Sequence, residues 1–154
     1  FREGYIFATI AYATSGLLDA CTSYGTQLLW PFSDTRIAWN IIGIIDPVFT
    51  LGMLVAVLGA WIKRYPWSAR YGVTFALLYL SLGTIQQFRA EFELRELALS
   101  RGHEQIHELS AKPAPFSLLL WRGVYRHEDE YHVSALHVSL PEYTRIYPGG
   151  TVPK

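Results

Sequence analysis

"SGLLDACTSYGTQLLWPFSD", Ser15–Asp34, follows the apolar run "GYIFATIAYAT", Gly4–Thr14, and sets a carboxylate, Asp19, near the end of an otherwise uncharged segment. Between Gly4 and Thr22, Asp19 is the only charge, and the segment has the length expected of a membrane helix, about 20 mostly apolar residues. Two more segments read the same way: "IIGIIDPVFTLGMLVAVLGAWI", Ile41–Ile62, and "YGVTFALLYLSLGTIQQF", Tyr71–Phe88. A helix on a soluble core needs polar residues recurring every third or fourth position on its wet face. "VFTLGMLVAVLGAWI" offers no such face. The expected fold is therefore mainly α: a multi-span transmembrane helical protein with three spans in residues 1–102.

Working outward, Asp46-Pro47 is a helix start. An aspartate can cap free N–H groups, and proline at the first helical position loses no hydrogen bond. The second helix proper is expected to begin at Pro47 and to end before Lys63, Arg64 and Pro66. The loop "KRYPWSAR" carries Lys63, Arg64 and Arg70 and no acid, which reads as cytoplasmic. Asp19 and Asp46 then lie near the opposite membrane face. The third helix is expected to continue through "RAEFELRELALSRG" to a stop at Gly102. "AKPAPF" reads as an extended linker. "SLLLWRGVY" and "YHVSALHVSL", joined by "RHEDE", read as a small β-hairpin in an extramembrane tail, residues 103–154, whose last stretch "PEYTRIYPGGTVPK" looks irregular.

Composition sets further bounds. Of the 154 residues, 51% are apolar and 15% aromatic, as expected where Trp and Tyr line a bilayer interface. The formal net charge is zero, so no global field draws nucleic acid, and no nucleic-acid partner is expected. Cys21 is the only cysteine, which excludes an internal disulfide and a cysteine-based zinc site. The chain begins with Phe1, and it is expected to be a piece of a longer protein.

Several constellations bear on chemistry. Tyr12, Ser15, Asp19 and Thr22 are spaced 3, 4 and 3, along one helix stripe. Ionisable groups in a membrane face a bundle interior or a watery cavity and mark functional paths. The bland alternative is an interfacial acid beside the turn "TSYGT". "HEQIH", His103–His107, matches the H-E-x-x-H pattern of zinc proteases. Gly102 before it and Pro113 and Pro115 after it favour a solvated turn instead. His132 and His137 are an odd number of residues apart, so a strand puts them on opposite faces.

"LLDACTSYGTQLLWPFSDTRIAWNIIGIIDPVFT" resembles the bacterial membrane-bound metal-dependent hydrolases, also described as LexA-binding, inner-membrane-associated hydrolases. The likeness is strongest over Gly16–Thr50 and returns at Arg101–His103 and "PFSLLLWRGVY". It implies a multi-pass protein of the bacterial inner membrane with a divalent metal, zinc by expectation, held by His and Asp. Asp19 matches the aspartate of an H-x-x-x-D ligand pair and is the expected metal ligand. The histidine of that pair falls at Ser15, a poor zinc ligand. Thr22, Tyr24 and Gly25 match the continuing motif, and Asp46 with Pro47 a second one, with Asp46 the expected catalytic base. The implied reaction is attack of metal-activated water on an ester or phosphoester. The alternative is a non-catalytic membrane scaffold whose segment 89–154 binds a protein partner. A small transporter relaying protons through Asp19 is a third option.

Overall fold

A computed structural model describes residues 1–62, 64–139 and 144–153. It contains three helices, α1 (Arg2–Cys21), α2 (Pro47–Ile62) and α3 (Pro66–Ser100), then four strands, β1 (Ile106–Pro113), β2 (Leu120–His127), β3 (Glu130–Val138) and β4 (Thr144–Pro153). The strands form one antiparallel sheet in sequence order, β1-β2-β3-β4. Lys63, expected to mark the end of the second helix, lies outside the described residues. So do residues 140–143 and 154 of the tail.

This corrects the expected fold. The chain is mixed α/β, and among the described residues no helix is long and apolar enough to cross a membrane. The reason differs for each expected span. α1 has the length, but Arg2, Glu3 and Asp19 and a run of hydroxyl-bearing residues dilute its apolar surface. α2 carries no charged residue, but residues 41–46 lie outside it, and its 16 residues reach only about 24 Å against an apolar bilayer core of about 30 Å. α3 has 35 residues, yet Gln86, Gln87 and Arg89 interrupt its apolar run after Ile85.

The start of α2 follows the sequence signal. Asp46 Oδ1 accepts a hydrogen bond from Phe49 N–H at 3.0 Å, and Pro47 occupies the first turn. α2 and α3 pack closely because each brings a glycine to their contact. A Cβ on Gly52 would overlap the Phe75 ring, and one on Gly72 would come within 2.7 Å of Ala56. Phe49, Phe75 and Tyr79 stack between the two helices, with ring centroids 5.6–6.3 Å apart.

The second half of α3 covers one face of the sheet. Ala90, Leu94 and Ala98 are buried against Ala111, Trp121, Tyr125, Leu136 and Val138. Gly123 lets the helix approach, since a Cβ there would come within 2.8 Å of Leu94. Buried Gln86 donates to the Val138 carbonyl at 2.9 Å and accepts from Arg89 at 2.8 Å, tying helix to sheet where the two halves of α3 meet.

The tail is therefore more ordered than the expected hairpin. β2 and β3 pair through the tight turn at Glu128-Asp129, as "RHEDE" suggested. β1 takes in Ala111–Pro113, so the first part of "AKPAPF" is strand and not a linker. β4 takes up most of the stretch that looked irregular. Edge strands tolerate the prolines that made both segments look structureless.

Candidate functional site

Asp19 is exposed in the last turn of α1. The chain leaves the helix through Thr22, whose hydroxyl donates to the Asp19 carbonyl at 2.8 Å while Tyr24 N–H and Gly25 N–H approach it at 3.3 and 3.4 Å. Gly25 then takes φ +67°, and a Cβ there would overlap the Ile37 carbonyl. That close approach allows Thr26 and Ile37 to exchange backbone hydrogen bonds at 2.9 Å. The motif "TSYGT" is thus a folding device: it ends α1 and turns the chain so that residues 37–42 run back beside Ala20 and Cys21. Burial pushes the Cys21 thiol pKa up, so it is a packing group.

The turn opens a cleft of about 550 Å³ lined by Asp19, Thr22, Tyr24 and Gly25 together with Tyr12, Gln27, Trp30 and Arg36. Arg36 lies over the Tyr24 ring at 5.1 Å and donates to the Tyr24 carbonyl at 3.3 Å. Five of the residues singled out in the sequence, Tyr12, Asp19, Thr22, Tyr24 and Gly25, therefore meet in one place. Ser15, exposed one turn earlier on α1, does not line the cleft. Neither does Asp46. That carboxylate is 4% exposed, caps α2, and receives the Tyr79 hydroxyl at 2.9 and 2.8 Å from its two oxygens. Tyr79 responds in kind: burial, then the hydrogen bond and charge of Asp46, push its phenol pKa well above the ordinary value.

A zinc ion does not fit this cleft as it stands. Asp19 is its only carboxylate, its other polar groups are hydroxyls, an amide, an indole and a guanidinium, and the fixed charge of Arg36 opposes a second cation. Among the described residues no group of three His, Cys, Asp or Glu side chains is placed to hold a metal ion.

The "HEQIH" pattern comes apart. His107 is exposed on β1, whereas His103 precedes the strand and joins a different cluster. Its ring lies 4.2 Å from that of His127 and 4.7 Å from that of His132. Tyr125, fully buried, stacks on His132 at 4.9 Å and places its hydroxyl 3.0 Å from His103 Nδ1 and 3.2 Å from Arg101. Arg101 can only donate, so the phenol oxygen accepts from it and shares a second hydrogen bond with His103 Nδ1. Partial burial, then the neighbouring His127, His132 and Arg101, hold the His103 pKa below its ordinary value, against the opposing pull of Glu128.

Sequence reasoning missed this cluster because parity along β3 was applied only to His132 and His137. The hairpin supplies the missing signal. With Glu128-Asp129 as the turn, His127 pairs with Glu130 and Tyr125 with His132, so His127 and His132 share a face.

Comparison with known proteins agrees with the first half of the chain. The model of the YdjM inner membrane protein family matches residues 2–90. The uncharacterized protein YfhP of Bacillus subtilis (strain 168) is 28% identical over 108 residues, 70% of this chain. The match spans only 31% of that relative's own length. No solved structure matches the chain. The match over residues 2–90 takes in α1, α2, the cleft and most of α3, and the chain belongs to the YdjM inner membrane protein family, a family described as membrane-bound metal-dependent hydrolases.

Proposed function

We propose that this chain is a membrane-bound, non-hydrolytic scaffold of its family, held to the inner membrane by the outer surfaces of α2 and of the first half of α3. The observation that carries this reading is the apolar surface those helices leave uncovered. Leu51, Leu54, Val55, Val57, Trp61 and Ile62 of α2 are exposed, as are Val73, Leu77 and Leu78 of α3. Monomeric soluble proteins rarely expose contiguous apolar patches larger than a few hundred Å². Around the turn between the helices lie exposed Trp61, Tyr65, Trp67 and Tyr71, with Arg70 over the Trp67 ring at 4.6 Å. Aromatic and basic residues are the side chains that settle at headgroup level. α3 then carries the sheet away from this surface, leaving residues 89–154 for a protein partner.

The test is flotation of the full chain with vesicles of phosphatidylethanolamine and phosphatidylglycerol. The wild type is expected to float and to resist alkaline carbonate. Replacing Leu54, Val55 and Trp61 by serine should release it without altering the sheet. A wild-type chain that stays monodisperse in the soluble fraction overturns the reading.

One observation favours a second reading, a metal-dependent ester or phosphoester hydrolase: Asp19, Thr22, Tyr24 and Gly25 line one polar cleft. Ser15→His adds a donor one turn before Asp19. Zinc bound by Ser15→His and lost again with Asp19→Asn would support that reading; equal zinc in all three proteins would remove it.

A further inference from the structure

We infer that the open face of β1 and β2 is a docking surface for an acidic segment of a partner protein, lying extended along β2 with its carboxylates at Lys112 and Arg122 and at Arg126. The inference rests on the reading that residues 89–154 are left for a protein partner, and it gives that partner a chemistry.

Strand alternation builds the face. α3 covers Ala111, Trp121 and Tyr125, so the residues between them point the other way. Ser110 and Lys112 of β1 and Arg122, Val124 and Arg126 of β2 line a cleft of about 690 Å³, together with Tyr131 of β3, the partner of Arg126. Three cations thus share one cleft in a chain whose formal net charge is zero.

The chain does not neutralise them. Lys112 and Arg122 are direct partners in the register, which brings their Cβ atoms to about 5 Å, and like charges set opposite each other destabilise a sheet. Among the described residues neither has a carboxylate at ion-pair distance. Glu108, the acid that lines the cleft, reaches only Arg126, at 3.6 Å from Nη2, with its own side chain 64% exposed. A carboxylate that settles between Lys112 and Arg122 offsets their repulsion, which is the charge complementarity that steers and selects a partner.

The spacing selects the shape of that partner. Arg122 and Arg126 lie four residues apart on one face of β2, about 13 Å at the rise of an antiparallel strand. Residues i and i+4 of an extended segment have the same separation, whereas on a helix they lie about 6 Å apart. Between the cations Ser110 pairs with Val124, so the middle of the segment meets a hydroxyl and a small apolar side chain. Other polyanions fit less well. Tyr131 is the cleft's only Phe, Tyr or Trp among the described residues, where single-stranded nucleic acid needs a row of rings for its bases. A bilayer presents its phosphates in a plane, and the apolar surface that would meet it lies on α2 and α3.

The test is fluorescence anisotropy of a labelled, end-blocked peptide, Glu-Ser-Val-Ser-Glu-Ser-Val-Ser-Glu, titrated with the full chain in nonionic detergent. One control has Gln for every Glu; a second has the same composition with its three Glu residues adjacent. Saturable binding of the first peptide is expected, with both controls at least about fivefold weaker. Lys112→Gln, Arg122→Gln and Arg126→Met should each weaken binding by at least about threefold, and Glu108→Gln should strengthen it, because the internal competitor for Arg126 is gone. Circular dichroism checks that each variant keeps its sheet. Absence of saturable binding below millimolar protein overturns the inference. So does equal affinity for either control, or binding that all three cation variants retain. Displacement of the peptide by an equal concentration of inorganic phosphate, or by phosphatidylglycerol vesicles, overturns it in favour of a small anion or a membrane. A wild type that floats with vesicles but does not bind the peptide removes this inference alone; one that binds but does not float removes the membrane attachment alone.

Discussion

α3 is one helix in two surroundings. Its first half lies against α2 and turns Val73, Leu77 and Leu78 outward, while its second half buries Ala90, Leu94 and Ala98 under the sheet. The apolar residues are of similar kind in both halves; what differs is what meets them. The sheet presents Trp121, Tyr125, Leu136 and Val138 to the second half. α2 is a single uncharged helix and covers only the stripe of α3 that faces it. Apolar residues in this chain therefore hold two kinds of structure together, a protein core at one end and a surface awaiting cover at the other.

Truncating the sheet core breaks this comparison most sharply. Trp121 is fully buried, and its indole N–H donates to the Leu118 carbonyl at 2.9 Å. Trp121→Ala should cost about 3–5 kcal/mol, from lost burial and the cavity left behind. Val55, 69% exposed on α2, is the matched control. Val55→Ala should change stability in detergent by less than about 0.5 kcal/mol, since surface substitutions away from specific contacts do little. Urea or thermal denaturation followed by near-ultraviolet circular dichroism measures both. Equal losses would mean that α2 is covered by protein.

How much of this was legible in the sequence follows the same divide. Helix boundaries set by local chemistry were readable: Asp46-Pro47 starts α2, and Gly102, at φ +80°, follows the end of α3. The hairpin at "RHEDE" was readable from its two apolar runs. The membrane-spanning fold was not sound. Apolar runs report burial without naming what buries them, and the run from Ile41 is split by the start of α2 at Pro47. β1 and β4 were missed because Pro113, Pro148 and Pro153 look like breakers until the strands are known to be edges. At the site, Asp19, Thr22, Tyr24 and Gly25 were legible as one motif because they are close in sequence. The cluster of His103, His127 and His132 depends on strand register and on the docking of α3, which residue spacing alone does not convey.

A smaller effect is expected where α2 and the first half of α3 are joined through Asp46. Asp46→Ala removes the cap of α2 and leaves the Tyr79 hydroxyl without its acceptor. Loss of a cap of this kind costs about 0.5–2 kcal/mol. The pair also sets a pH dependence. The folded Tyr79 pKa is raised above its unfolded value, so the folded state holds the phenol proton more tightly. The stability it contributes is complete below the ordinary phenol pKa of about 10 and falls as pH rises beyond it. Denaturation midpoints measured from pH 8 to 11.5 should drop at the alkaline end in the wild type and drop less in Tyr79→Phe. A parallel decline in both proteins would show that Tyr79 does not carry the alkaline loss.

The smallest effect is expected on the open face of the sheet, where burial contributes least. Arg126 and Glu108 sit on neighbouring strands with Nη2 and Oε1 3.6 Å apart, but the glutamate side chain is 64% exposed. At that distance, and with water on one side, an ion pair is worth about 0–1 kcal/mol and is screened further by salt. Glu108→Ala should therefore shift stability by less than about 0.5 kcal/mol, and the shift should vanish in 1 M NaCl. Arg126 is a different case: its side chain is only 22% exposed, and its Nε is buried without a hydrogen-bond partner. Arg126→Met keeps most of the aliphatic stem against the sheet and removes that unpaired donor, so it should cost no more than Glu108→Ala. If Arg126→Met proves the more damaging of the two, the guanidinium makes a contact that the ion pair does not account for.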